Sequence, residues 1–230
     1  MPFGVDEAGK GPAIGPMVAA AVWADDPARL PEGIADSKEL TPAKRESLAE
    51  TMRAGDAICV GVGVIEPARI DAPETDMNGL AVTAHARAIE DALGETDVAS
   101  ETDGDLQGVC DACDTDADRF ARRVTDDCSL PVSVDASHGA DADDPLVGAA
   151  SVIAKVDRDA RVERLAARYA ERGYDDLGSG YPSDPKTRSF LESYVADHGE
   201  LPDGARRSWG TCRDVLAEAA QTGLGEFASE

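Results

Sequence analysis

The sequence predicts an α/β fold with a helical C-terminal part. Three observations carry this. Short apolar runs of strand length alternate with longer segments of helical period through roughly the first 170 residues. No internal repeat underlies the alternation. From residue 185 onward the readable segments are all helical.

The elements follow in order. Residues 3–9 form a short apolar strand ending on Asp6, Glu7 and Ala8-Gly9. Residues 14–24, IGPMVAAAVWA, read as a buried strand, and a loop at 33–40 carries Asp36-Ser37-Lys38. Thr41 caps a helix over 42–54, with Pro42 at its first position. Residues 57–65, AICVGVGVI, are a strand in which small residues alternate with larger ones. A helix spans 76–93, with Ala and Leu at helical spacing, and an acidic solvated loop covers 94–107. A strand at 107–111, a helix at 116–126 and a strand at 131–135 come next. An acidic loop fills 136–144, before a long helix over 145–172. The loop GSGYPSDP at 178–185 leads to helices near 185–198 and 205–221, and the last residues fray.

The chain's 230 residues suffice for one large domain, or one with a small appendage. A hydrophobic fraction of 42% excludes wholesale disorder, and 4% aromatics leaves the core to Ala, Val, Ile and Leu. No apolar run is long enough to span a bilayer, and MPFGVDEAGKG has no signal-peptide pattern, so a cytoplasmic protein is expected. Forty-six acids against 22 bases give a net charge of −24. The acids are spread along the whole chain, which suggests a folded protein in concentrated salt rather than an acidic tail. Acidity there does not exclude a nucleic-acid partner, because high salt weakens the phosphate attraction that a basic surface would exploit. The five cysteines are read as reduced thiols, and the pair Cys110 and Cys113 lacks the second pair that a structural zinc site needs.

Adjacent acids in an apolar strand are costly to desolvate, so either the strand ends there at the surface or a cation sits there. Asp111 ends another apolar strand, and Asp141 lies in SHGAD before the long helix. Carboxylates gathered at strand ends suit hard divalent cations, and two Mg²⁺ ions so held support phosphodiester hydrolysis. Residues Gly4 to Lys10 also fit G-x-x-x-x-G-K, but Gly11 stands where a P-loop needs Ser or Thr. Gly9-Lys10-Gly11 is better used for close backbone approach to a sugar-phosphate.

The ordered segments GVDEAGKGPAIGPMVAAAV, DSKEL, DACDTDADRF, SHGAD, GAASVIAKVDRD and GSGYPSDPKT together resemble type 2 ribonuclease H, ribonuclease HII, in its archaeal form. The segment RRSW at 206–209 resembles the family's C-terminal segment. The resemblance implies a ribonuclease H-like mixed sheet of about five strands flanked by helices, with a helical C-terminal extension. It implies a catalytic domain over 1–176 and a helical substrate-binding part over 177–230. It implies hydrolysis of the RNA strand of RNA–DNA hybrids, and incision of duplex DNA 5′ of an embedded ribonucleotide. The products carry a 3′-hydroxyl and a 5′-phosphate. Matched by motif, the catalytic and metal-holding carboxylates are Asp6, Glu7, Asp111 and Asp141, with Mg²⁺ or Mn²⁺ as cofactor. Asp111 is preferred over Asp114, Asp116 and Asp118, and Asp141 over Asp143 and Asp144.

Gly9, Lys10 and Gly11 resemble the family element that reads the ribose 2′-hydroxyl, with Lys in place of the usual Arg and so without its bidentate fork. Tyr181 matches the family tyrosine that stacks on the sugar at the junction; otherwise it is an ordinary loop tyrosine. Lys38 and Lys155 contact phosphate or neutralise the acidic site, or are simple surface lysines. His138 assists proton transfer or product release, or has no role; His85 and His198 read as structural or solvated. The stripe Arg158, Arg161, Arg164, Arg168 and Arg172 either tracks a nucleic-acid backbone or, the favoured reading, pairs with acids such as Asp157 and Glu171. Arg206, Arg207 and Trp209 are placed at the duplex. Cys110 and Cys113 flank Asp111 as two small buried hydrophobes, or as a redox pair. A monomer is expected. The alternatives are a resolvase-like two-metal nuclease indifferent to the 2′-hydroxyl, and a homologue that binds hybrids without cutting them.

Overall fold

The computed structural model describes residues 2–34, 40–94 and 106–227. Lys38 and most of the 94–107 segment lie outside these residues. Five strands form one mixed sheet: β1 (Pro2–Ala8), β2 (Met17–Ala24), β3 (Ile58–Ile65), β4 (Leu106–Asp111) and β5 (Val132–Ser137). Their order is β3-β2-β1-β4-β5. β1 and β2, and β2 and β3, run antiparallel, whereas β4 pairs parallel with both β1 and β5. Around the sheet lie α1 (Pro42–Ala54), α3 (Met77–Leu93) and α4 (Ala117–Asp127); α2 (Pro67–Ile70) and α5 (Ala140–Asp143) are single turns. α6 (Pro145–Ala170), α7 (Pro185–His198) and α8 (Gly210–Phe227) complete the chain. Among the described residues, no helix is long and apolar enough to cross a membrane.

By contact the chain forms two compact units. The first comprises residues 1–10, 17–65 and 76–158, and the second 11–16, 66–75 and 159–230. The expected boundary at 176/177 follows the end of a helix; compactness divides the chain within α6 instead. Leu146, Ala150 and Ile153 at the start of α6 pack with Ala20, Val22, Leu48 and Met52 in the first unit. Val162, Leu165 and Tyr169 further along it belong to a second core with Phe190, Leu191, Tyr194 and Val215. An unbroken helical pattern carries no sign of such a change of core.

The small residues of β3 allow one helix to lie directly on the sheet. A Cβ at Gly61 would stand 2.1 Å from the Ala92 nitrogen, and one at Gly63 2.0 Å from the Ala84 oxygen, both on α3. Gly4 of β1 does the same for α6, whose Val147 nitrogen would meet a Cβ at 2.2 Å. β1 therefore carries α6 against the face bearing Gly4 and Asp6, because residues two apart share a face.

Several boundaries differ from the sequence reading. The second strand begins at Met17 rather than residue 14. Gly15 takes φ +95°, Pro16 has no N–H to donate, and Ile14 instead bridges to Ala205 within the second unit. The last helix starts at Gly210, not 205, because Arg207 and Ser208 donate their amides to Asp71. The acidic segment 136–144 contains the turn α5, entered through Gly139 at φ +74°. Thr41 caps α1 as expected, accepting from the Lys44 amide at 3.3 Å.

Candidate active site

Carboxylate oxygens of Asp6, Asp111 and Asp141 lie within 4.8 Å of one another. Each is delivered by a different element of the first unit. Asp6 is near the end of β1, Asp111 is the last residue of β4, and Asp141 is in α5 just beyond β5. Parallel pairing of β1, β4 and β5 brings their C-terminal ends to one edge, the usual place for a site in such sheets. Three carboxylates at this spacing form a hard oxygen donor set, which fits Mg²⁺ or Mn²⁺ and disfavours softer metals.

The electrostatics agree with a cation site. Burial pushes the Asp6 carboxyl up to about 7, and the charges of Glu7 and Asp111 push the same way. Ser151, which hydrogen-bonds Asp6, and Lys155 oppose the rise. Ser151 and Lys155 are one turn apart on α6 and hydrogen-bond each other. Asp111 is also raised, chiefly by burial, although its Oδ1 accepts the amides of Gly139 at 2.7 Å and Ala140 at 3.2 Å. Those two amides fix the Asp111 rotamer, and the left-handed backbone of Gly139 aims one of them.

The neighbouring acids have other duties. Asp114 is ion-paired to Arg119 at 2.6 Å, which holds its carboxyl below the usual range. Asp116 caps α4 through the Arg119 amide, and Asp144 accepts the amides of Leu146 and Val147 at the start of α6. Asp143 is exposed.

Glu7 stands apart from the cluster of three. Strand alternation turns it to the face opposite Asp6. There its Oε2 lies 2.9 Å from Nε2 of His85, a fully buried residue of α3. Sequence reasoning placed His85 as structural or solvated; on α3 it stands among the buried Ala84, Ala88 and Ile89. The one available signal was a histidine within an otherwise apolar helix face.

The other candidate residues fall as follows. Lys155 is beside Asp6, in keeping with charge neutralisation. Gly9 adopts φ +84°, so the chain turns sharply as β1 ends. Lys10 directs its ammonium to Asn78 Oδ1 at 2.9 Å and the Cys113 carbonyl at 2.5 Å. His138 is exposed, with Nε2 at 2.8 Å from the Asp114 carbonyl. Burial raises the Cys113 thiol to about 12 and the Cys110 thiol well above its ordinary value.

Within the second unit, Tyr181 is 37% exposed and lies against Gly11, where a Cβ would be 3.7 Å from its ring. The Trp209 indole donates to the Gly11 carbonyl at 3.0 Å, and Gly180 accepts the amides of Ala13 and Ile14. Arg206 corrects an expectation: it is fully buried, donates Nε to the Gly15 carbonyl at 2.9 Å and stacks over Trp209. A side chain so enclosed serves packing and not duplex contact. Of the arginine stripe, all but Arg172 lie on α6, and Asp157 pairs with Arg53 instead. Arg158 is buried, Arg161 pairs with Glu66 and Arg172 lies over the Tyr169 ring.

The model of the family described as ribonuclease HII matches residues 3–212. The ribonuclease HII of Haloarcula marismortui is 56% identical, with 99% of this chain and 100% of that protein covered. Among solved structures, ribonuclease H2 from Pyrococcus horikoshii OT3 superposes with a TM-score of 0.82 at 35% identity, covering 95% and 98% of the two chains. RNase HII of Archaeoglobus fulgidus, in its complex with PCNA, gives 0.77 at 34% identity, covering 94% and 96%.

Proposed function

The chain belongs to the ribonuclease HII family, enzymes with ribonuclease H activity on RNA–DNA hybrids, and from that premise we propose that it also incises duplex DNA 5′ of embedded ribonucleotides by a two-metal mechanism. The observation that carries this reading is the convergence of Asp6, Asp111 and Asp141 at the C-terminal edge of the parallel strands. These three, with Glu7 completing the set, are assigned as the cation ligands and catalytic carboxylates. When bound, Mg²⁺ or Mn²⁺ supplies the positive charge that makes water nucleophilic and stabilises the departing oxygen. The chain's own groups do the rest. Gly139 and Ala140 hold Asp111 in place, and Ser151 and Lys155 temper the charge at Asp6. His138 has its Nε2 committed to the Asp114 carbonyl and is assigned to moving a proton through Nδ1. Water attacks phosphorus, the bond to the 3′ oxygen breaks, and the products carry a 3′-hydroxyl and a 5′-phosphate.

Recognition of the ribose 2′-hydroxyl is assigned to Gly9, Lys10, Gly11 and Tyr181, with Lys38 and Lys155 gripping phosphate; residues 177–230 serve as the substrate-binding part. The 2.5 Å bond from Lys10 to the Cys113 carbonyl favours backbone readout over phosphate contact by that side chain. The place of action is the cytoplasm, in removal of ribonucleotides and RNA primers from DNA. The test is cleavage of labelled duplex DNA carrying one ribonucleotide, with Mn²⁺, across a KCl series. The expected result is a single cut 5′ of the ribonucleotide, with Asp6→Asn and Asp111→Asn inactive and Tyr181→Ala reduced about tenfold or more. Equal cutting of an all-DNA duplex would establish a nuclease indifferent to the 2′-hydroxyl.

A further inference from the structure

We propose that His85 is a positioning residue for Glu7: its Nε2 holds one carboxylate oxygen and thereby aims the other at the cation site. The inference rests on the assignment of Glu7 as a cation ligand. Three observations support it. His85 is fully buried on α3, where an imidazole is costly unless paired, and Glu7 Oε2 at 2.9 Å is the partner of Nε2. A carboxylate only accepts, so Nε2 is the donor in this bond. Nδ1 has no hydrogen-bond partner among the described residues, so the Glu7 contact is the polar role the ring fulfils. Finally, Phe120 of α4 meets the imidazole edge-on, with centroids 5.0 Å apart and planes at 86°, which locks the ring orientation.

The arrangement answers a geometric problem. Adjacent strand residues point to opposite faces. Asp6 is therefore braced from α6, through Ser151, and cannot brace Glu7. A glutamate has three side-chain torsions, and left unheld it would sample many positions beside the cluster. His85 removes that freedom from the other side of the sheet. A cation ligand fixed in this way by an outer partner typically loses about 10–100-fold in metal affinity when the partner is removed.

The test is calorimetric titration of Mn²⁺ into the full chain without substrate, at fixed pH and high KCl. The proteins are the parent, Glu7→Gln, His85→Leu, His85→Gln, His85→Asn and the Glu7→Gln/His85→Leu double variant. Gln places its amide where Nε2 was, and Asn places it where Nδ1 was. His85→Leu and His85→Asn are expected to bind Mn²⁺ about 10–100-fold more weakly. His85→Gln is expected to recover most of that loss. With saturating substrate the deficient variants should lose kcat while KM for the duplex stays within about twofold. In the Glu7→Gln background, His85→Leu should add nothing, because coupled residues act as one. If His85→Leu does not fold by circular dichroism, the Gln and Asn variants decide. Equal Mn²⁺ affinity in those two would overturn the proposal and leave His85 as packing. Weakened binding in Glu7→Gln with none in His85→Leu does the same. Unaltered binding in Glu7→Gln overturns the assignment of Glu7 itself, and the role of His85 with it.

Discussion

Asp6 is a buried carboxyl flanked by two others, and its acidity records that. Raised to about 7 from near 4, it keeps its proton in the folded, metal-free protein where the unfolded chain has already lost it. Between these values the unfolded state binds fewer protons, so stability falls as pH rises through the interval and then levels off. Asp6→Asn abolishes the titration. In chelator, the variant is expected to melt above the parent at pH 8, by a margin of a few kcal/mol at most on the scale of about 1.4 kcal/mol per pH unit. The margin should close toward pH 4–5, and thermal melts over that range check it. An equal margin at every pH would point to a cause other than this proton. At this scale the sequence was informative about Asp6 and Glu7, because paired acids closing an apolar strand have few explanations. It favoured Asp111 over Asp114 by position alone and was silent on what occupies Asp114 in the folded chain. Arg119 claims Asp114, and only the folded helix brings them together. It was equally silent on His85, whose partner Glu7 is 78 residues away.

Elements were legible where periodicity spoke for itself. The helix over Pro185–His198 and the strand at Ile58–Ile65 match the sequence reading within a residue. Misplaced ends have specific causes: the left-handed Gly15 before Pro16, and the Asp71 carboxylate that captures the chain before α8. Neither is a property of the local residues alone. The alternation of small residues in β3 was visible, but its purpose, to seat α3, needed the packed structure. Two glycines separate the effects of space and of backbone. Gly63→Ala drives a Cβ into the Ala84 carbonyl of α3 and is expected to cost about 3 kcal/mol or more, or to prevent folding. Gly139→Ala meets no atom within 4 Å and has to overcome only its φ of +74°, so about 1–2 kcal/mol is expected. Chemical denaturation in high salt measures both.

At the scale of the whole molecule, charge dominates. With −24 formal charges on 230 residues, self-repulsion is strong in dilute buffer and nearly absent once the screening length falls to about 3 Å at 1 M salt. The melting temperature is therefore expected to rise steeply between about 0.1 and 1 M KCl and more slowly beyond; a flat profile would show that the surface charge is neutralised by local pairing instead. Homology to a Haloarcula protein fits this habit. Composition made a salt dependence the expectation from the start. It said nothing of the two cores, because the division falls inside an unbroken helix, and it hid the concentration of Tyr169, Tyr174, Phe190 and Tyr194 in the second unit.

The bracing of Asp6 from α6 and of Glu7 from α3 has a bearing on how the protein assembles. The clustered carboxylates Asp6, Asp111 and Asp141, and the side-chain contacts Asp6–Ser151 and Glu7–His85, join distant positions of the chain, and both helical layers must be docked on the finished sheet before they meet. Contacts of such long sequence separation form late, after local helices and hairpins have closed. Hydrolytic activity is thus expected to be the last property a refolding chain regains, and the first that a partly opened one gives up.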